Sequence, residues 1–199
     1  CHQCHLSIRP EDSRAHVGGH IICAIHGVRE TDLYEQVVLP SPCRFCGCGN
    51  CQINITKNWK ITVKVTSSCP HQHKFSYSHA KKFSSQTPST NVPVYYGLCS
   101  PVPPWKTPPA FWKYSIYPHI RSAHPQNWDN LKGAPCNLSK EFVDSIAISG
   151  EELLAFDIWT GSSTAPSAKS LVPAVRHCGT KHRLDNITNT EAGPSKKVK

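Results

Sequence analysis

Residues 1–25 read CHQCHLSIRPEDSRAHVGGHIICAI, placing Cys1 and Cys4 two residues apart and His16 and His20 three apart. Whether these four side chains close around one ion decides how the rest of the chain is read. A tetrahedral zinc needs two donors on a tight knuckle to meet two on one face of a helix. Four-residue spacing sets His16 and His20 one turn apart on the same face. Pro10 suits the first helical position, Glu11 and Asp12 favour the positive end of the helix dipole, and Gly27 can stop the helix. Gly18 and Gly19 fall mid-helix, each costing about 1 kcal/mol against Ala. A structural zinc contributes on the order of 10 kcal/mol, which outweighs that loss. A finger-like unit of two cysteines and two histidines over residues 1–30 follows, with Leu6, Ile8 and Ile21 as its small core. Arg9, Asp12 and Ala15 would occupy its base-reading positions, a poor set for DNA because acidic groups would face phosphate.

The stretch CRFCGCGNC supplies Cys43, Cys46, Cys48 and Cys51 within nine residues, with Gly47 where a knuckle must turn tightly. WKITVKV then alternates, with Trp59, Ile61, Val63 and Val65 on one face, the pattern of a half-buried strand. It runs into Cys69-Pro70, and KFSY follows as a second short strand. Cys43, Cys46, Cys51 and Cys69 are expected to form a four-cysteine zinc site, with Cys48 as the alternative to Cys51. A ring-type ubiquitin-ligase pattern would need further Cys pairs that do not follow. A redox dithiol would want a βαβ context that is missing.

A third group comes from NVPVYYGLC and FWKYSIYPHIRSAHP. FWKYSI reads as a strand, and Pro118 as the first residue of a short helix carrying His119 and ending near His124. Cys99 faces these two histidines, but Tyr96 stands where a second knuckle cysteine is expected. The site can be three ligands plus water, completed by tyrosine or by Cys48, or empty. Pairing of Cys43 and Cys46 with His119 and His124 is a further arrangement.

The ordered run HVGGHI, PCRFCG, CP, KFSY, NVPV, LC and H-x4-HP over residues 14–160 resembles a repetitive family of zinc-finger-like proteins. These are common in mushroom-type fungal genomes and often associated with mobile elements. The resemblance implies Cys/His metal binding, and a cysteine pair before the strand–helix unit. This chain departs from that pattern at Tyr96.

The 199 residues hold 22 Lys+Arg, 13 Asp+Glu, 17 Pro, 11 Cys and 12 His, with only 38% hydrophobic residues. Such a chain favours small units held by something besides a large core. The absence of Met marks the sequence as an expected piece of a longer product. Odd cysteine number and interleaved histidines favour zinc over disulfides, and hence a reducing compartment, nucleus or cytoplasm. No 18-residue apolar run exists, so no membrane-spanning helix is expected.

Between Gln36 and Trp128 there are ten Lys or Arg and no Asp or Glu. That one-signed segment suits DNA or RNA, with Lys57, Lys60, Lys64, Lys81 and Lys82 on phosphates and Trp59, Trp105 and Trp112 nearby. Further on, Ser139 can cap one helix, and Ser149 with Glu152 forms a capping box for another. Glu151, Glu152 and Asp157 make that hairpin a packing or protein-partner element rather than a DNA reader. Beyond Gly161 the composition reads as disorder, ending in the basic PSKKVK, a weak nuclear address.

The expectation is therefore an α+β protein of small zinc-stabilised units: a finger-like unit at 1–30, a composite Cys/His domain at 40–130, a helical hairpin at 135–160 and a disordered tail at 161–199. Zn²⁺ is its cofactor, and it has neither catalytic residues nor a small-molecule substrate. Nucleic-acid binding is its first function; a protein-interaction module and a degenerate mobile-element remnant are the alternatives.

Overall fold

The computed structural model describes residues 1–57, 63–99, 109–158 and the backbone of 175–176. Mixed helix and small two-stranded sheets make up the architecture, consistent with α+β. Helix α1 (Pro10–Ile25) opens with Pro10 at its start, acidic Glu11 and Asp12 in its first turn, and an Arg9–Asp12 ion pair at 2.8 Å. It ends at Gly27, whose φ of +67° is a conformation that L side chains rarely adopt. Gly18 and Gly19, costly by propensity, are both buried. A Cβ on Gly18 would lie 2.5 Å from Ser89 Oγ, so close packing explains its presence. Of the expected small core, Ile21 is fully buried whereas Leu6 is exposed.

Strand β1 (Arg29–Glu30) follows the turn at Gly27, and the hairpin β2 (Ile53–Lys57) with β3 (Val63–Ser67) comes next. The hairpin pairs Ile53 with Ser67 and Ile55 with Val65. Residues 59–62 of the alternating stretch, Trp59 and Ile61 among them, lie outside the described residues. KFSY is not the second strand. Phe75 packs into the core beside Cys43, Cys46 and Cys69, and Tyr77 begins the one-turn helix α2 (Tyr77–Ala80). The partner of β3 is β2 instead.

Strand β4 (Pro93–Tyr95) pairs antiparallel with β5 (Ala110–Trp112). The chain then turns directly into α3 (Lys113–Ala123), so FWKYSI is a strand only as far as Trp112, and Pro118 sits inside the helix rather than at its start. Tertiary bonds account for the early switch. Lys113 N–H donates to Val92 O at 2.9 Å, and Tyr114 N–H to Asn91 Oδ1 at 3.1 Å, giving first-turn donors partners from a distant segment. A short hairpin, β6 (Trp128–Asp129) with β7 (Ala134–Pro135), leads to α4 (Lys140–Ile146) and α5 (Gly150–Ala155). Ser139 accepts from Phe142 N–H, and Ser149 and Glu152 form the expected capping box. Of the tail expected to be disordered, only β8 (Val175–Arg176) is described, paired in parallel with β1.

Residues 110–123 form the spine of the packing. Trp112 belongs to the cluster with Phe45 and the cysteines, and Tyr114 to the cluster of Val17, Ile21 and Ile22 with Leu153 and Phe156. Ile116 and Ile120, one turn apart, join Tyr96 and Ile146 in the third. The cluster around Tyr114 thus joins α1 to α5, so the segments 1–30 and 135–160 share a core. Beside it, Glu152 accepts from Thr90 N and Oγ1, both at 2.8 Å, and from the Tyr114 hydroxyl, with Lys113 Nζ at 3.7 Å. Glu152 is 1% exposed, so it presents no charge to a phosphate.

Candidate metal centres

Three groups of side chains converge, each with its ligand atoms within 4.8 Å of one another: Cys1, Cys4, His16 and His20; Cys43, Cys46, Cys51 and Cys69; Cys99, His119 and His124. Metal–donor bonds of about 2.0–2.3 Å around a tetrahedral ion set its corners roughly 3.3–3.8 Å apart. Cys4 Sγ lies 3.1 Å from His16 Nε2, which is 3.1 Å from His20 Nε2. Cys46 and Cys51 sulfurs are 3.8 Å apart, and Cys99 Sγ is 2.8 and 3.4 Å from the Nε2 atoms of His119 and His124. These spacings are close to those corners, so the groups can hold metal. None of the ten cysteines among the described residues is in a disulfide.

In the first group, α1 holds the two histidines on one face and the 1–4 turn presents the thiols. His20 Nδ1 lies 2.9 Å from Glu30 Oε1, with both side chains almost fully buried, at 3% and 4% exposure. A proton on Nδ1 shared with that carboxylate leaves the Nε2 lone pair facing His16 and Cys4, the tautomer a metal requires. Burial pushes the His20 pKa down, but the hydrogen bond and charge of Glu30, with Cys4, more than reverse it, and the net shift is upward. Glu30 has no short-range sequence signature, because only the turn at Gly27 brings β1 back beside α1.

The second group is pinned by the 43–48 turn, the start of the β2–β3 hairpin and Cys69 just past its end. The group that converges contains Cys51 rather than Cys48; Cys48 Sγ instead donates to Cys46 O at 3.6 Å. Hydrogen bonding with Cys43 holds the Cys46 thiol down at about 4. Burial and that negative charge push Cys69 up to about 12, and Cys43 and Cys51 are also raised. Four sulfurs this crowded cannot all ionise without a cation among them.

Arg44, between two of these cysteines, is 2% exposed. Its guanidinium lies 3.9 Å from the Phe75 ring centre, with Phe45 and Trp112 beyond, and donates from Nη1 to Asn91 O at 2.9 Å. Nε and Nη2 have no hydrogen-bond partner among the described residues. A buried cation lacking a carboxylate beside it is costly, and a dianionic four-thiolate ion centre would offset it.

The first two groups also touch. Gln3, wholly buried between Cys1 and Cys4, donates its side-chain amide to the carbonyl of Cys46. Gly47, at φ +70°, leaves the room, since a Cβ there would run into the Gln3 amide.

The third group gathers Cys99 from the loop after β4, His119 from α3 and His124 from its end. It does not recruit Cys43, Cys46 or Cys48, so the mixed pairing with Cys43 and Cys46 is not formed. Tyr96 is buried, its ring edge-on to His119 at 5.5 Å and inclined to His124 at 5.7 Å. Burial, with Cys99, pushes its hydroxyl up to about 12.

Of the lysines expected on phosphates, Lys64, Lys81 and Lys82 are exposed on β3 and just after α2, elements that pack together. Lys57 is described in its backbone only, and Lys60, Trp59 and Trp105 lie outside the described residues. Trp112 is 2% exposed and cannot stack on a base. Among the described residues, no helix is long and apolar enough to cross a membrane.

No protein-family model, curated protein or solved structure matches the chain.

Proposed function

We propose that this protein is a non-catalytic zinc-binding module in which three ions tie distant stretches of a proline-rich chain into one packed unit. The observation that carries this reading is the convergence of thiols and imidazoles from separate segments onto three points, one of them backed by the buried Glu30 carboxylate. Sulfur and imidazole donors at tetrahedral spacing suit zinc among the divalent ions. Thiolate ligation fits a reducing compartment, nucleus or cytosol. Metal analysis of the purified chain, repeated with Cys4→Ser, Cys46→Ser and His124→Ala, tests the reading. Three equivalents of zinc are expected, and each substitution should remove one. A chain that stays compact and cooperatively folded after exhaustive chelation would refute it.

The exposed Lys64, Lys81 and Lys82, within a segment that carries no acid from residue 36 to 128, favour nucleic acid as the partner of this module. Phosphate neutralisation makes affinity fall steeply with salt. Binding to single- or double-stranded probes that ignores ionic strength would exclude it and favour a protein partner.

A further inference from the structure

Among the described residues, the third group supplies three donors where the other two supply four. We propose that the ion at Cys99, His119 and His124 keeps one coordination position open to an exchangeable small anion, and that a thiolate is the class it takes best. This rests on the zinc reading above and extends it from a structural ion to a ligand-binding one.

Among the described residues, no fourth donor joins this group. Cys48 is packed against the four-cysteine group. Residues 100–108, which leave Cys99 directly, read SPVPPWKTP and contain no Cys, His, Asp or Glu. Tyr96 occupies the expected knuckle position, but its ring is held in the third core cluster, stacked on Phe142 at 5.8 Å. Among the described residues its hydroxyl has no hydrogen-bond partner, and so bonds neither Cys99 Sγ nor either imidazole.

Charge and access define what fills the position. A divalent ion with one thiolate and two neutral imidazoles carries a net +1, against zero for the first group and −2 for the second. A single anion neutralises it. No carboxylate of the described residues joins the group; Asp129 pairs with Lys132 at 3.6 Å and Asp144 with Lys140 at 2.6 Å, while Glu141 is exposed. All three ligands are partly exposed, as Gly97, Leu98 and Arg121 beside them are exposed, whereas the second group is mostly buried. A soft donor suits a zinc already bearing sulfur. In the exchange a bound water leaves, the thiol's proton passes to solvent, and no electron moves.

The test uses the full chain loaded with Co²⁺ in a phosphine reductant, titrated with mercaptoethanol and separately with azide. Expected are three bound ions and a saturable change in the cobalt ligand-field bands equivalent to one site, with thiol binding at least tenfold tighter than azide. The change should vanish in His124→Ala and persist in Tyr96→Phe. Three ions with bands that neither probe moves would overturn the open position while leaving the zinc reading intact. A thiol response appearing only in Tyr96→Phe would identify Tyr96 as the fourth ligand and overturn it too. Two ions in the unsubstituted chain would overturn both the open position and the zinc reading of this group.

Discussion

Replacing Glu30 by Gln keeps the shape of the group behind His20 and removes its charge. The Nδ1–Oε1 distance is 2.9 Å and neither side chain is more than 4% exposed, so water does not screen the interaction. Partners of this kind on a metal-bound histidine are worth about tenfold to a hundredfold in metal affinity, or roughly 1.4–2.7 kcal/mol. Gln can still accept from Nδ1–H, so Glu30→Gln should fall near the lower figure. Glu30→Ala also leaves that N–H unsatisfied and should lie near or beyond the upper one. Protons modulate the difference. Because Glu30 helps raise the His20 pKa above 6.5, the metal-free site holds its proton over a wider range, and the ion must displace it. Affinity at this site should therefore drop as pH falls through that raised value, and the deficit of Glu30→Gln should narrow there, since its His20 gives up the proton more readily. Competition against a chromophoric chelator across pH reads both effects. If Glu30→Gln binds all its ions within twofold of the unsubstituted chain at every pH, the carboxylate does not position a ligand.

Other substitutions test the surroundings. Arg44→Met keeps packing against Phe75 but removes the buried charge beside the four cysteines; metal affinity there should fall about tenfold or more by chelator competition, and an unchanged affinity would show the charges are uncoupled. Gly18→Ala brings a Cβ to 2.5 Å from Ser89 Oγ and should cost about 1–3 kcal/mol in urea unfolding despite the better helix propensity. Adding Ser89→Gly should recover most of that loss. Glu152→Ala removes the buried carboxylate shared by Lys113, Thr90 and the Tyr114 hydroxyl and should cost about 3–5 kcal/mol in the same assay, whereas Glu152→Gln should cost less.

The sequence made legible whatever depends on short spacing. His16 and His20 share a helix face because of helical periodicity, the 43–48 turn follows from Gly47, and the Ser149–Glu152 box is a three-residue pattern. The rest depended on groups far apart in the chain. Lys113 and Tyr114 enter a helix because Val92 and Asn91 receive their amides, so a stretch with strand propensity reads wrongly alone. KFSY shows the same override, its Phe75 claimed by the ring-lined pocket around Arg44. Strand β2, INITK, carries only two apolar residues in alternation, too short a signal to choose it as the partner of β3. Trp112 reads as an exposed aromatic in a basic segment until β5 turns it inward.

The bond from Gln3 to the Cys46 carbonyl gives the protein a mechanical property that neither knuckle has by itself. Gln3 is carried on the turn that presents Cys1 and Cys4, and Cys46 O lies in the turn of the second group. Slack in either loop is thus passed to its neighbour through one amide. Stripping an ion from one station should weaken, without abolishing, the grip of the other, so Cys4→Ser should keep its four-cysteine ion yet yield it, as a loosened latch does, at a lower chelator concentration than the unsubstituted chain.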